Sequence, residues 1–156
     1  MLASAVLPIA CATAPKGPDR TDGLSLHLEL RGEDQRAVYE VDTEGNVVFR
    51  GGRDAILDHT TWAGTLTAIQ CGTWVDLVHW TEWLSSPPTS SGDEEPVFDI
   101  DVANALVSRS FTVPRDDERA TVMYDFLQQV ASQRFDNNPE TNPVPSIETL
   151  IKRRGR

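Results

Sequence analysis

Residues 60–84, TTWAGTLTAIQCGTWVDLVHWTEWL, decide the fold: they read as a short strand feeding directly into the one long helix available to the middle of the chain. Thr67 and Gln70 have the capping-box spacing, in which the Thr hydroxyl accepts from the amide three residues on and the Gln side chain reaches back to the cap amide. Beyond the cap, Cys71, Trp74, Leu77, Val78, Thr81 and Leu84 recur at steps of three and four, which lines them along one side of a helix. Three of the four tryptophans lie in this helix, and Trp62 lies in the strand before it. Ile69, Trp80 and Trp83 fall on a side rotated away from Cys71, Trp74 and Val78. The apolar arc is therefore wider than packing on one sheet requires. Either a second helix or the following loop covers it, or it is an exposed patch that receives a partner.

Upstream of the helix the pattern has a period of two. Leu24, Leu26, Leu28 and Leu30 alternate with Ser25, His27, Glu29 and Arg31, as in a strand with one buried face. Ala37, Tyr39 and Val41 repeat the alternation with Val38 and Glu40 outward, and Val47 and Phe49 continue it until Gly51-Gly52. Asp42-Thr43-Glu44-Gly45 supplies turn chemistry between them, because glycine accepts positive φ without steric cost. These segments predict an antiparallel meander, with Thr60 to Ala63 as a fourth short strand. Arg53 to His59 reads as a loop or a short turn of helix.

Downstream, residues 85–96 (SSPPTSSGDEEP) have the composition of a loop. Val97 to Val102 alternates strictly, Ala103 to Ala105 turns the chain, and Leu106 to Val113 returns as a partner strand ended by Pro114. Asp116 is the expected N-cap of a second amphipathic helix that carries Met123, Phe126, Leu127, Val130 and Ala131 and ends near Phe135. Pro139, Pro143 and Pro145 then interrupt regular structure in a basic-ended tail over 136–156. The predicted order is β-β-β-(β)-α-β-β-α. Its economical architecture is α+β, a two-layer sandwich in which an antiparallel sheet of five to six strands carries both helices on one face. His27, Glu29, Arg31, Glu40, Arg50, Asp99 and Asp101 then face water on the other side.

A single domain over 24–135 suits the length of 156 residues. Before it, residues 1–15 (MLASAVLPIACATAP) are apolar, uncharged and too short to span a bilayer, as in a signal-peptide core and cleavage region. Leu7-Pro8-Ile9-Ala10-Cys11 resembles a bacterial lipobox, with Pro8 where Leu is usual, and Ala10-Cys11-Ala12 also fits ordinary secretory cleavage. The alternative is an N-terminal helix packed on the domain. Export is the favoured reading, with lipidation of Cys11 ahead of plain secretion. Residues 16–23, with their Pro and Gly content, read as a tether. The destination is then the outer or cytoplasmic membrane by lipid anchor, or else the periplasm or the exterior.

The succession Tyr39-x-Val41, Gly45-x-Val47-x-Phe49-x-Gly51, then Thr61-Trp62 and Leu66-Thr67 before a helix, resembles small uncharacterised domains of bacterial exported proteins and lipoproteins. The resemblance covers roughly residues 24 to 135. It implies the fold and an envelope location, and it brings no catalytic residues.

The charge of −10 argues against a nucleic-acid surface, which needs clustered Lys and Arg. With only Cys11 and Cys71, and no CxxC pair, no structural zinc site is expected. The patterns of serine-hydrolase elbows, zinc proteases, phosphate loops and dinucleotide sites are all missing. Asp93-Glu94-Glu95 lacks calcium-loop spacing, and His79 with Glu82 lacks a third ligand. One enzymatic constellation stands: if their strands are neighbours, His27, Glu29, Asp99 and Asp101 face one another and form a metal-assisted hydrolase site. The leading reading is a non-enzymatic envelope domain without a cofactor. It meets the membrane through Cys11 and binds a protein partner through Ile69, Trp80 and Trp83 or through the 85–96 loop.

Overall fold

The computed structural model describes residues 21–90 and 96–133. Residues 1–15 with Cys11, most of the tether, Asp93 to Glu95 and the tail all lie outside the described residues. Six strands form one antiparallel sheet: β1 (Ser25–Gly32), β2 (Gln35–Val41), β3 (Asn46–Gly51), β4 (Trp62–Thr65), β5 (Val97–Ala103) and β6 (Ser108–Pro114). Their spatial order is β4-β3-β2-β1-β5-β6, so β1 lies between the meander and the later hairpin. Three helices complete the α+β fold: α1 (Arg53–Ile56), α2 (Ala68–Thr81) and α3 (Glu118–Ser132). α1 is the short helical turn that Arg53 to His59 left open.

The buried rows follow the alternation. Leu26, Leu28 and Leu30 oppose Val41, Tyr39 and Ala37 on one side and Val102, Ile100 and Phe98 on the other. This face joins Cys71, Trp74, Leu77 and Val78 of α2 and Val122, Met123, Phe126 and Leu127 of α3 in one core, which is the two-layer sandwich. Burial of that apolar area is the main stabilising term. At the β2–β3 turn Gly45 has φ +83°, and its amide donates to the Asp42 carbonyl at 3.0 Å. Thr21 is buried, and its hydroxyl donates to the Thr43 carbonyl.

Several boundaries differ from expectation. β4 runs two residues later than Thr60 to Ala63, because the Thr61 hydroxyl is engaged with Asp54 and the Gly51 amide. β6 begins at Ser108, since the Asn104 side chain accepts from the Leu106 and Val107 amides and holds both in the turn. The cap of α3 is Asp117, whose carboxylate accepts from the Ala120 amide at 2.9 Å, and not Asp116. Val38 faces the polar side by register, as expected, yet is 4% exposed. It lies between Glu29 and Arg50, two well-covered side chains whose stems close over it.

The capping box of α2 is present in full, with Thr67 as cap and Gln70 as its reciprocal partner. The end of α2 departs from the periodic pattern. Glu82 adopts φ 56° and ψ 14°, a left-handed stop, so the helix closes at Thr81. α2 and α3 run in opposite directions. Gln70 near the start of α2 bonds Gln133 at the end of α3, and Arg119 near the start of α3 donates to the Thr81 carbonyl at the end of α2. α2 starts after β4 and ends with Trp83 on Phe111 of β6, while α3 starts after β6 and comes back to β4. Both helices thus cross the sheet from edge to edge. Among the described residues, neither helix covers the end of the sheet that holds the β1–β2 turn.

Candidate functional site

That uncovered end holds a cleft of about 650 Å³, bounded by the ends of β1 to β3, Phe98 of β5 and one side of α3. Its apolar wall is an aromatic cluster. Tyr39 and Phe49 stack with ring centroids 4.7 Å apart, Tyr124 meets Tyr39 edge-on at 5.5 Å, and Phe98 lies 5.6 Å from Tyr124. Tyr39 and Phe98 are buried, whereas Phe49 and Tyr124 remain partly open to solvent and form the visible surface. Offset and edge-on arrangements of this kind are favoured by the ring quadrupole. Gly51 belongs to the same wall: the Phe49 ring lies across it so closely that a Cβ there would sit 2.6 Å from Phe49 Cζ.

Charged groups of both signs line the cleft: Asp34 in the turn before β2, Arg36 at the start of β2, Arg115 before α3, and Asp125 on α3. Burial pushes the Tyr124 phenol above its ordinary 10.0, opposed by a hydrogen bond with Tyr39 and by the Arg115 charge and reinforced by Asp125. Arg115 also lines a neighbouring depression of about 400 Å³ with Asp34, Gln35 and Pro96. Its backbone is fixed on both sides, with the amide donating to the Pro96 carbonyl at 3.1 Å and the carbonyl accepting from the Thr121 hydroxyl at 3.0 Å. A concave, partly apolar site with a few convergent polar groups is the form that ligand sites usually take.

The opposite face of the sheet does bring the expected polar residues together. His27 pairs in register with Asp101 on β5 and Glu40 on β2, and Glu29 pairs with Asp99. Most of their carboxylates already have partners. Arg36 bonds Glu29 at 2.7 Å, Arg31 bonds Asp99 at 3.0 Å, Thr112 also bonds Asp99, and Ser110 donates to Asp101. His27 stands 3.3 Å from Glu40 and 3.9 Å from Glu29. Among the described residues no group of His, Cys, Asp and Glu is arranged to hold a metal ion. This face is a network of ion pairs across neighbouring strands.

The α2 surface requires a correction. Trp83 is 0% exposed and packs edge-on to Phe111 at 5.6 Å, so it belongs to the core and lines no partner surface. The physical reason is the left-handed Glu82: the helical phase that put Trp83 beside Trp80 stops one residue before it. Glu82 likewise leaves the helix, so it shares no helical face with His79. Ile69 is 74% exposed, and Trp80 is half-buried against the core. No helix among the described residues is long and apolar enough to cross a membrane.

Sequence reasoning did not single out Tyr124 or Arg115. Tyr124 stands beside Met123 on the margin of the α3 stripe, and Arg115 looks like an ordinary charge after a strand. The available signal was that the chain has only two tyrosines, on β2 and α3, elements predicted to pack on one another. Comparison with known proteins finds no matching family model and no matching curated protein.

Proposed function

We propose that this chain is a non-enzymatic binding domain of the bacterial cell envelope, held there by lipidation of Cys11, which captures a protein partner through the cleft at the open end of the sheet. The observation that carries the reading is the cleft itself: an aromatic wall of Phe49 and Tyr124 beside the fixed Arg115, left uncovered by both helices. Rigid aromatic rings next to an arginine are the residue types that dominate binding energy at interfaces. The lipobox-like Leu7 to Cys11 supports the address.

Site-specific photo-crosslinkers test the surface. In an exporting bacterial host, a crosslinker at Gln128 on the cleft rim is expected to trap a discrete partner, while one at Thr73 on the outer side of α2 traps none. Adducts at Thr73 alone would move the interface to the Ile69 and Trp80 side and overturn the assignment to the cleft. The anchor is tested by intact mass from the membrane fraction: a diacylglycerol-sized increase beginning at Cys11, lost in Cys11→Ser, is the expected result. A soluble, unprocessed product removes the envelope part of the reading.

A further inference from the structure

Resting on the binding reading above, we propose that the cleft receives the C-terminal residue of the partner polypeptide, with the free carboxylate on Arg115 and an apolar side chain against Phe49 and Tyr124. Three of the arginines on the sheet are already matched: Arg31 to Asp99, Arg36 to Glu29 and Arg50 to Glu40. Arg115 has no carboxylate partner among the described residues, and its backbone is tied to Pro96 and Thr121, so the guanidinium projects from a fixed base. A planar guanidinium in that position selects a carboxylate, which it can engage through two parallel N–H groups.

The rest of the lining narrows the ligand. Asp34 and Asp125 share the cleft, and the chain as a whole carries −10, so a phosphate or an acidic segment is disfavoured and a single carboxylate is the anion that fits. The half-open rings of Phe49 and Tyr124 require an apolar group close to that carboxylate. A polypeptide that ends in an apolar residue presents both groups on that one residue, its free α-carboxylate and its side chain sharing a single Cα. About 650 Å³ lies within the range of small-ligand sites, more than one side chain needs.

The test uses the full ¹⁵N-labelled chain and four probes: acetyl-Gly-Gly-Phe with a free carboxylate, the same peptide as its C-terminal amide, acetyl-Gly-Gly-Ala with a free carboxylate, and free L-phenylalanine. The free-acid Phe peptide is expected to shift the amides of Gly51, Gly52 and Tyr124, and to bind about tenfold more tightly than the amide or the Ala peptide. Arg115→Gln, a substitution at an exposed position, is expected to weaken the free-acid peptide and so erase the difference between acid and amide. Equal binding of acid and amide, an unchanged ratio in Arg115→Gln, or no shifts from any probe would overturn the chain-end assignment. Free L-phenylalanine binding as tightly as the peptide would also overturn it, in favour of a small-molecule site. Crosslinks at Gln128 without peptide binding would leave the protein-binding reading standing and remove only the chain end.

Discussion

Arg50 grips Glu40 with two prongs, Nη1 to Oε1 at 2.9 Å and Nη2 to Oε2 at 3.2 Å, across the diagonal between β3 and β2. From this fork a chain of charges extends over the sheet: Asp58 at 3.2 Å from Arg50 Nε on one side, and His27, Glu29 and Arg36 on the other. The Arg50 hydrogen bond holds the Glu40 carboxyl below its ordinary 4.5; burial opposes this, while the Arg50 charge and His27 reinforce it. A depressed acid stabilises the fold above its unfolded value, and that contribution is lost as pH falls through the folded value. Glu40→Gln is therefore expected to cost about 1 kcal/mol at neutral pH, a modest figure because Glu40 is 39% exposed and screened. The gap from wild type should stay constant down to about pH 5 and close below 4.5. Urea unfolding across that range reads it out, and a gap unchanged at pH 2 would show that Glu40 acts through packing.

The end of α2 gives a prediction of the opposite kind at adjacent residues. Glu82 is exposed and adopts a left-handed backbone, a conformation that costs a non-glycine residue roughly 1–2 kcal/mol. Glu82→Gly should raise stability by about 0.5 kcal/mol, once the greater freedom of glycine in the unfolded chain is deducted. Trp83→Ala should cost about 3–5 kcal/mol, as for other fully buried large aromatics. Trp83→Phe should cost less than half of that, because the buried Trp83 indole N–H has no hydrogen-bond partner among the described residues to lose. Thermal unfolding of the three variants suffices. A stable, folded Trp83→Ala protein would return that residue to the surface.

The capping box links one residue's chemistry to the start of the central helix. Thr67 accepts from the Gln70 amide at 3.3 Å, and the Thr67 amide donates to Gln70 Oε1 at 2.8 Å. Gln70 also donates to Gln133 at 2.7 Å, so the cap of α2 is joined to the end of α3. Thr67→Ala is expected to cost about 1 kcal/mol. Gln70→Ala should cost more than Thr67→Ala, because it breaks both connections of a residue that is 4% exposed. If the two variants unfold at the same denaturant concentration, the bridge between the helices contributes nothing.

Local elements were legible in the sequence because each is set by neighbours in the chain. The capping box needs only Thr67 and Gln70, and the strand faces need only the alternation from Leu24 to Arg31. The strand order was not legible, since alternation says which way His27 and Asp101 face and not that β1 and β5 adjoin. The cleft was hidden for the same reason: it forms where Phe49 meets Arg115 and Tyr124, which lie far along the chain from it, at an end of the sheet that the helices leave open. The error at Trp83 had a local cause. A helical wheel carries its phase past a residue such as Glu82, whose left-handed backbone no propensity scale signals for glutamate.

Tyr124 offers a direct reading of the cleft, because the only other tyrosine is Tyr39, 5.5 Å away in the same wall. With burial raising its phenol above 10.0, Tyr124 stabilises the fold below the unfolded value, and this contribution is lost as pH rises through the folded value. The tyrosinate absorbance of wild type minus Tyr124→Phe isolates this group from Tyr39 and from the tryptophans. Its midpoint is expected above 10.0, and stability should decline more steeply above that pH in wild type than in Tyr124→Phe. Because the Arg115 charge opposes the rise, Arg115→Gln should move the midpoint further up. A midpoint at or below 10.0 would mean that water reaches the ring freely, and the aromatic wall of the cleft would then be open surface.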